Sequence, residues 1–458
     1  MAGDTDRKVG VISLGCSKNL VDSEFMLGQF RGQGYQPTND PSQADILVVN
    51  TCAFVAEAEA ESREAIRDML AIKKDHPGKR IVVTGCLSQR YGERLAQEFP
   101  GLDVILGSGQ YQRLVPLIKS SNPSPEQPLV GLGPPTFLPK GSSDRILTTP
   151  AHTAYVKIAE GCNNPCTFCI IPRLRGPFRS RMPRDIEQEV RKLAKQGVKE
   201  INLVSQDTTL YGRDLSPRTD LPSLLNRLGD VEGIEWIRML YLYPTLISDR
   251  LLITVLRQQK VLPYLDMPLQ HFDTGVLTRM KRAERAPSVR RLLRRIRGVL
   301  PLAFIRTTMM VGFPGETDEE FQSLYDFVAE ARFDHLGVFI YSGEEGTQAC
   351  DMPDQVSHHV AEERRARLMA LQQNISREKL AKFVGQVLPV LIDHASPGGG
   401  SLLQGRHVGQ APEVDGVVYI NDGPRVEPGR IVPVQITESH EYDLVGRILP
   451  SALEGPRG

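Results

Sequence analysis

Cys162-Asn163-Asn164-Pro165-Cys166-Thr167-Phe168-Cys169 sets three cysteines on one short stretch, separated by three and then two residues. It follows the apolar run Tyr155–Ala159, which reads as a strand. Three thiolates from one loop can hold three corners of a cubane iron–sulfur cluster and leave the fourth iron open. A structural zinc site would want a fourth Cys or His close by, and none follows. An open iron can bind a small molecule, so this loop is a candidate for chemistry.

Three further cysteines each end a segment rich in β-branched residues, in Leu14-Gly15-Cys16, Asn50-Thr51-Cys52 and Thr84-Gly85-Cys86. The segments Lys8–Leu14, Ala44–Val49 and Arg80–Val83, with Asp103–Leu106 as a fourth, alternate with helical patterns. That alternation predicts a doubly wound parallel sheet over residues 1–119. Ligands of such sheets bind beyond the carboxyl ends of the strands, so Cys16, Cys52 and Cys86 should converge there. A single cysteine at a strand end is ordinarily a core residue. Three at equivalent ends point to a shared cluster, again with one iron open. Gly15 and Gly85 would let the backbone approach closely at that point.

The elements that must position these cysteines follow from the rest of the 458 residues. Residues 120–150 are rich in Pro, Ser and Gly and read as a linker. From 151 to 382, strand-like runs recur at Tyr155–Ala159, Glu200–Val204, Trp236–Tyr241, Tyr264–Met267, Phe304–Val311 and Leu336–Tyr341, with helices such as Asp185–Lys195 and Ser288–Val299 between them. Six βα units predict a partial barrel whose site lies at the carboxyl ends of its strands. His358–Lys382 reads as a connecting helix, and residues 383–450 as about five short antiparallel strands forming a small barrel. The whole is an α/β multidomain chain. His271 reads as a hydrogen-bonding partner or a substrate contact, Cys350 as incidental, and Arg290–Arg297 as a solvated helix face. Net charge is zero, and the polar start Met1–Lys8 and the lack of a long apolar run predict a cytoplasmic protein without a membrane span.

The CxxxCxxC of Cys162, Cys166 and Cys169 resembles the signature of the radical S-adenosylmethionine (SAM) enzymes. Leu14-Gly15-Cys16-Ser17-Lys18-Asn19-Leu20-Val21-Asp22-Ser23-Glu24 and Asn50-Thr51-Cys52 resemble the amino-terminal domain of the methylthiotransferases within that family, and residues 383–450 resemble their TRAM domain. Arg238–Pro244 and Asp415–Ile420 look closest to the branch that modifies an aspartate of small-subunit ribosomal protein twelve. The resemblance implies two 4Fe-4S clusters, one on Cys162, Cys166 and Cys169 and an auxiliary one on Cys16, Cys52 and Cys86. It implies SAM held near Phe168, Gln206 and Gly312, although the family's usual Gly-Gly-Glu is absent here. It also implies methylthio transfer to the aspartate β-carbon, by a protein expected to act as a monomer. Neither electron donor nor sulfur source is identified by it. The rival expectations are methylthiolation of an adenosine in transfer RNA and a non-catalytic iron–sulfur protein bound to the ribosome.

Charge in the last domain favours a protein substrate. Residues 383–450 carry eight acids and four bases, a net of −4, with no lysine. RNA affinity rests on Lys and Arg neutralising phosphates, whereas an acidic surface suits a basic ribosomal protein. Asp415, Asp422 and Glu438 are the acids expected to dock it.

Overall fold

The computed structural model describes residues 7–120, 128–395 and 402–450. The polar start of the chain and the first part of the Pro-rich linker, 121–127, lie outside the described residues.

β1 (Lys8–Ser13), β2 (Gln36–Pro37), β3 (Ile46–Thr51), β4 (Arg80–Gly85), β5 (Val104–Leu106) and β6 (Leu129–Gly131) form a parallel sheet in the order β2-β1-β3-β4-β5-β6. The order reverses between β1 and β3, the switch point of a doubly wound sheet. β3 is buried along its whole length, as its unbroken Ile46-Leu47-Val48-Val49 run requires of a central strand. The edge strands β2 and β6 have two and three residues, too few to show an alternating pattern. β6 comes from the stretch read as linker, and Leu129, Val130 and Gly131 pair with Val104, Ile105 and Leu106.

β7 (Thr153–Lys157) opens the second sheet, with β8 (Ala159–Glu160) and β9 (Arg179–Ser180) as a small antiparallel ribbon beyond it. β10 (Glu200–Val204), β11 (Trp236–Met239), β12 (Val261–Asp266), β13 (Phe304–Val311) and β14 (His335–Ile340) complete six parallel strands in the order β7-β10-β11-β12-β13-β14. Sequential order is what an open, partial (β/α)6 barrel requires. Its helices bury apolar stripes such as Ile186, Val190 and Leu193, or Val289, Leu292, Leu293 and Ile296, against the strands. The arginines at 290, 291, 294 and 297 stay on the outer side of their helix, as the solvated-face reading expects.

β15 (Val387–Ala395), β16 (Leu403–His407), β17 (Val418–Asp422), β18 (Ile431–Ser439) and β19 (Leu444–Ile448) close into a barrel in the order β15-β16-β17-β19-β18. The expectation of purely antiparallel strands is corrected here, because β17 and β19 run parallel. An odd number of strands cannot alternate in direction all the way round a closed ring.

This barrel is fastened across the amino ends of the central strands, opposite the cysteine loop. Arg406 donates to Glu200 at 2.7 Å and to Asp393 at 2.8 Å, Arg238 shares Glu200 at 3.1 Å, and His152 lies 3.0 Å from Asp393. Tyr264 donates to Asp415 at 2.6 Å, with Arg306 and His335 beside the same carboxylate at 3.5 and 3.4 Å. Asp415 is therefore no docking residue. Its side chain is 1 % exposed, consumed by the interdomain joint, whereas Asp422 and Glu438 are exposed as expected.

Candidate active site

Helix Ser17–Arg31 begins at the carboxyl end of β1 with Cys16 as its N-cap, and it lies between the first sheet and β7. Eleven of its fifteen residues are buried, including Lys18, Asn19, Asp22, Ser23 and Glu24. Asn19 donates to the carbonyls of Leu14 and Thr51, both at 2.9 Å, which draws the turn before Cys16 onto the end of β3. Asn50 donates to Asn19 O and Ser23 Oγ, at 2.8 and 2.9 Å. Cys52 follows β3 directly, and Cys86 begins the helix that follows β4.

Gly15 is required twice over at this junction. Its φ is +84°, and a Cβ there would stand 2.7 Å from Cys52 Sγ. Gly85 has φ +99°, and its Cβ would meet Asn50 Oδ1 at 2.5 Å. Both glycines serve close approach at a positive φ.

The second triplet lies in a loop pinned on several sides. Cys162 N donates to Gly176 O at 3.1 Å, Thr167 N to Met280 O at 3.1 Å, and Ala349 N to Thr167 O at 2.9 Å. Asn164 N points at Cys162 Sγ across 3.4 Å. Arg282 reaches Cys166 Sγ at 3.9 Å while donating to Glu284 at 3.0 Å.

Between the triplets runs a buried ionic network. Arg175 donates to Asp22 at 2.8 Å and Glu160 at 3.3 Å, and also to Asn19 Oδ1. Lys157 holds the same two carboxylates, reaching Glu160 at 2.6 Å, and Gln206 Nε2 donates to Glu160 at 2.6 Å. Burial alone would raise the Glu160 carboxyl, but Lys157 and Arg175 outweigh it and hold it low. Burial alone would lower Arg175, but Cys86, Glu160 and Asp22 outweigh it and keep it a cation.

The six thiols differ in how their surroundings treat a negative charge. Burial pushes Cys52 and Cys169 up to about 12, reinforced by the neighbouring thiols of each triplet. Burial likewise raises Cys86, Cys162 and Cys166. For Cys16, desolvation is outweighed by Lys18, Arg175 and the N–H groups of Asn19 and Lys18, so its thiol is lowered. Bound iron would reverse the penalty, since a coordinating thiol is deprotonated outright. Among the described residues no His, Cys, Asp and Glu side chains are grouped as the ligands of one metal ion.

Of the residues implied for SAM, Gln206 stands just beyond β10, with its Oε1 buried and unpartnered. Phe168 is half-buried against the cluster of Val276, Met280, Phe313 and Ala349. Gly312 is accounted for by packing, with φ +75° and a Cβ that would meet Ala361 at 2.6 Å. His271 is fully buried, accepts from Asp273 N at 3.0 Å and is pushed down to about 3 by burial, so it is a hydrogen-bonding residue of the interior. Arg175, Glu160 and Lys157 were not singled out by sequence. The one signal was Lys157, a charge inside a strand otherwise fit for full burial.

Fold and site define a radical-SAM enzyme, which uses SAM and a 4Fe-4S cluster. Residues 156–328 match the Radical SAM superfamily, 8–107 the Uncharacterized protein family UPF0004 and 384–449 the TRAM domain. The chain is 46% identical over 442 residues to the ribosomal protein uS12 methylthiotransferase RimO of Geobacter sulfurreducens, covering 96% of this chain and 98% of that one. It is also 46% identical to the protein of the same name from Myxococcus xanthus, covering 98% and 93%. The chain belongs to this family of uS12 methylthiotransferases. Among solved structures, the radical S-adenosylmethionine methyltransferase TsrM from Kitasatospora setae shares the fold, with a TM-score of 0.55 at 12% identity over 86% of this chain and 79% of that one.

Proposed function

We propose that this protein attaches a methylthio group to the β-carbon of an aspartate in ribosomal protein uS12. The observation that carries the reading is the shared network of Arg175, Asp22 and Glu160, which sets the ends of β1, β3 and β4 against the carboxyl mouth of the barrel. Sulfur delivery and hydrogen abstraction need two sites facing one substrate carbon, and a joint between these two ends supports that reading. Cys162, Cys166 and Cys169 would hold the cluster that binds SAM, and Cys16, Cys52 and Cys86 the auxiliary one. When bound, that cofactor pair supplies a radical able to take hydrogen from an unactivated C–H bond, which no side chain here can do.

The chain's own groups prepare the site. Gln206 presents its unpartnered Oε1 as an acceptor suited to the methionyl amino group, while its Nε2 is committed to Glu160. Arg175 and Lys157 neutralise Asp22 and Glu160, so the carboxylates stay fixed. No helix among the described residues is long and apolar enough to cross a membrane.

Mass spectrometry of uS12 and of transfer RNA, from cells with and without the gene, tests the reading. A methylthio mass on uS12 that disappears with the gene is expected. Loss of a methylthioadenosine from transfer RNA instead would replace the substrate, and absence of SAM cleavage by the reduced protein would replace the enzyme with an iron–sulfur binding protein.

A further inference from the structure

We propose that Lys18 is the receptor for the carboxylate of the substrate aspartate. The inference rests on the uS12 reading and names how that site recognises its target residue.

Apart from Ser17, whose Oγ has no partner, the other buried polar side chains after Cys16 are matched within the protein. Asn19 contacts Leu14, Thr51 and Arg175; Asp22 contacts Lys157 and Arg175; Ser23 contacts Ser13 and Asn50; Glu24 contacts Arg145 and Thr148. Among the charged side chains of this turn, Lys18 is the exception. It is 7 % exposed, yet among the described residues it has no carboxylate partner. Its close neighbour is the Tyr241 ring, with Nζ 3.1 Å from the centroid. Withdrawing most of a cationic side chain from water is costly unless it is paired, and a ring face returns only part of that cost.

The ring is held there deliberately. Tyr241 has φ 61°, a left-handed conformation that a bulky side chain adopts only under constraint. Its N–H donates to Asp266 at 2.9 Å, and its carbonyl accepts from Thr208 at 3.0 Å. Of the carboxylates on these elements, Asp266 is taken by Arg306 and Asp22 by Lys157 and Arg175.

Placement gives the charge its use. Lys18 is two residues beyond Cys16, with its own N–H toward that sulfur, and its ammonium reaches Tyr241 just past the carboxyl end of β11. A carboxylate on Nζ would therefore lie beside the Cys16 turn, at the carboxyl end of the central sheet. The aspartate β-carbon is one bond from its carboxylate, so holding the one places the other. An adenosine offers no such group.

The test measures binding of uS12, and of uS12 with its target Asp replaced by Asn, to reconstituted enzyme. Wild type should bind the Asn form about tenfold to a hundredfold more weakly, the range of a charged hydrogen bond. Lys18→Met should bind both forms equally weakly, with Lys18→Gln as a second uncharged variant if Met lowers iron content. Lys18→Arg, which keeps the charge, should keep a preference for Asp. Undiminished Asp preference in the uncharged variants would overturn Lys18 as the receptor while leaving the uS12 reading intact. Failure of wild type to bind or modify uS12 would overturn both.

Discussion

Arg175 donates to Asp22 across 2.8 Å, joining the segment after Cys169 to the helix that begins at Cys16. Both side chains are almost fully buried, at 3 and 4 % exposure. Removing one member of such a pair strands the other in a dry interior, at about 3–5 kcal/mol. Arg175→Met should lower stability by that order in denaturant unfolding. Arg175→Lys should rescue little, because a single ammonium cannot address Asp22, Glu160 and Asn19 as the guanidinium fork does.

Iron content separates the two triplets. Anaerobically reconstituted protein should hold about eight irons, two cubanes of four. Replacing Cys162, Cys166 and Cys169 with Ala should leave about four and abolish SAM cleavage. Gly15→Ala should act on the other triplet alone, because its Cβ would press on Cys52 Sγ at 2.7 Å. Loss of about four irons with SAM cleavage retained is the expected result. Retention of all iron in the triple Cys variant would exclude those residues as ligands.

The acids of the last barrel divide into two kinds. Asp415→Asn should destabilise the joint with the central domain by a few kcal/mol, about 3–5 if the buried pairing is fully lost, seen in urea unfolding. Asp422→Lys and Glu438→Lys lie on the surface and should change stability by no more than about 0.5 kcal/mol. Those two reversals should instead weaken binding of basic uS12, more at low salt than at about 0.15 M. Tighter uS12 binding by the Lys variants would remove the electrostatic account of this surface.

Glu316 gives a pH signature away from the cysteines. Burial raises its carboxyl to about 7, against the Arg364 guanidinium 2.8 Å away. The folded protein therefore binds a proton that the unfolded chain, near 4.5, releases first. Stability from this group is full below about 4.5 and is lost as pH rises to about 7. At about 1.36 kcal/mol per unit, the swing is of order 3 kcal/mol. Glu316→Gln should flatten that part of the stability profile in thermal unfolding across pH. An unchanged slope would show that Glu316 titrates normally.

The cysteine spacing, the strand ends that carry Cys16, Cys52 and Cys86, and five of the central strands to within two residues were legible in the sequence. These features are local, because a strand's apolar pattern and a loop's ligands lie in consecutive residues. β2 and β6 were not, since two or three residues at a sheet edge carry no period.

Which charges are free was decided only by the tertiary structure. Asp415 and Asp422 look alike in sequence, yet Asp415 meets Tyr264, 151 residues away, while Asp422 meets water. Lys157 and Asp22 are 135 residues apart, and Arg175 and Asn19 156. Burial raises the cost of an unpaired charge so far that partners are set by which domain faces meet. The sequence could therefore name the cysteines proposed to hold iron, but only packing could show that Lys18 has no carboxylate partner among the described residues.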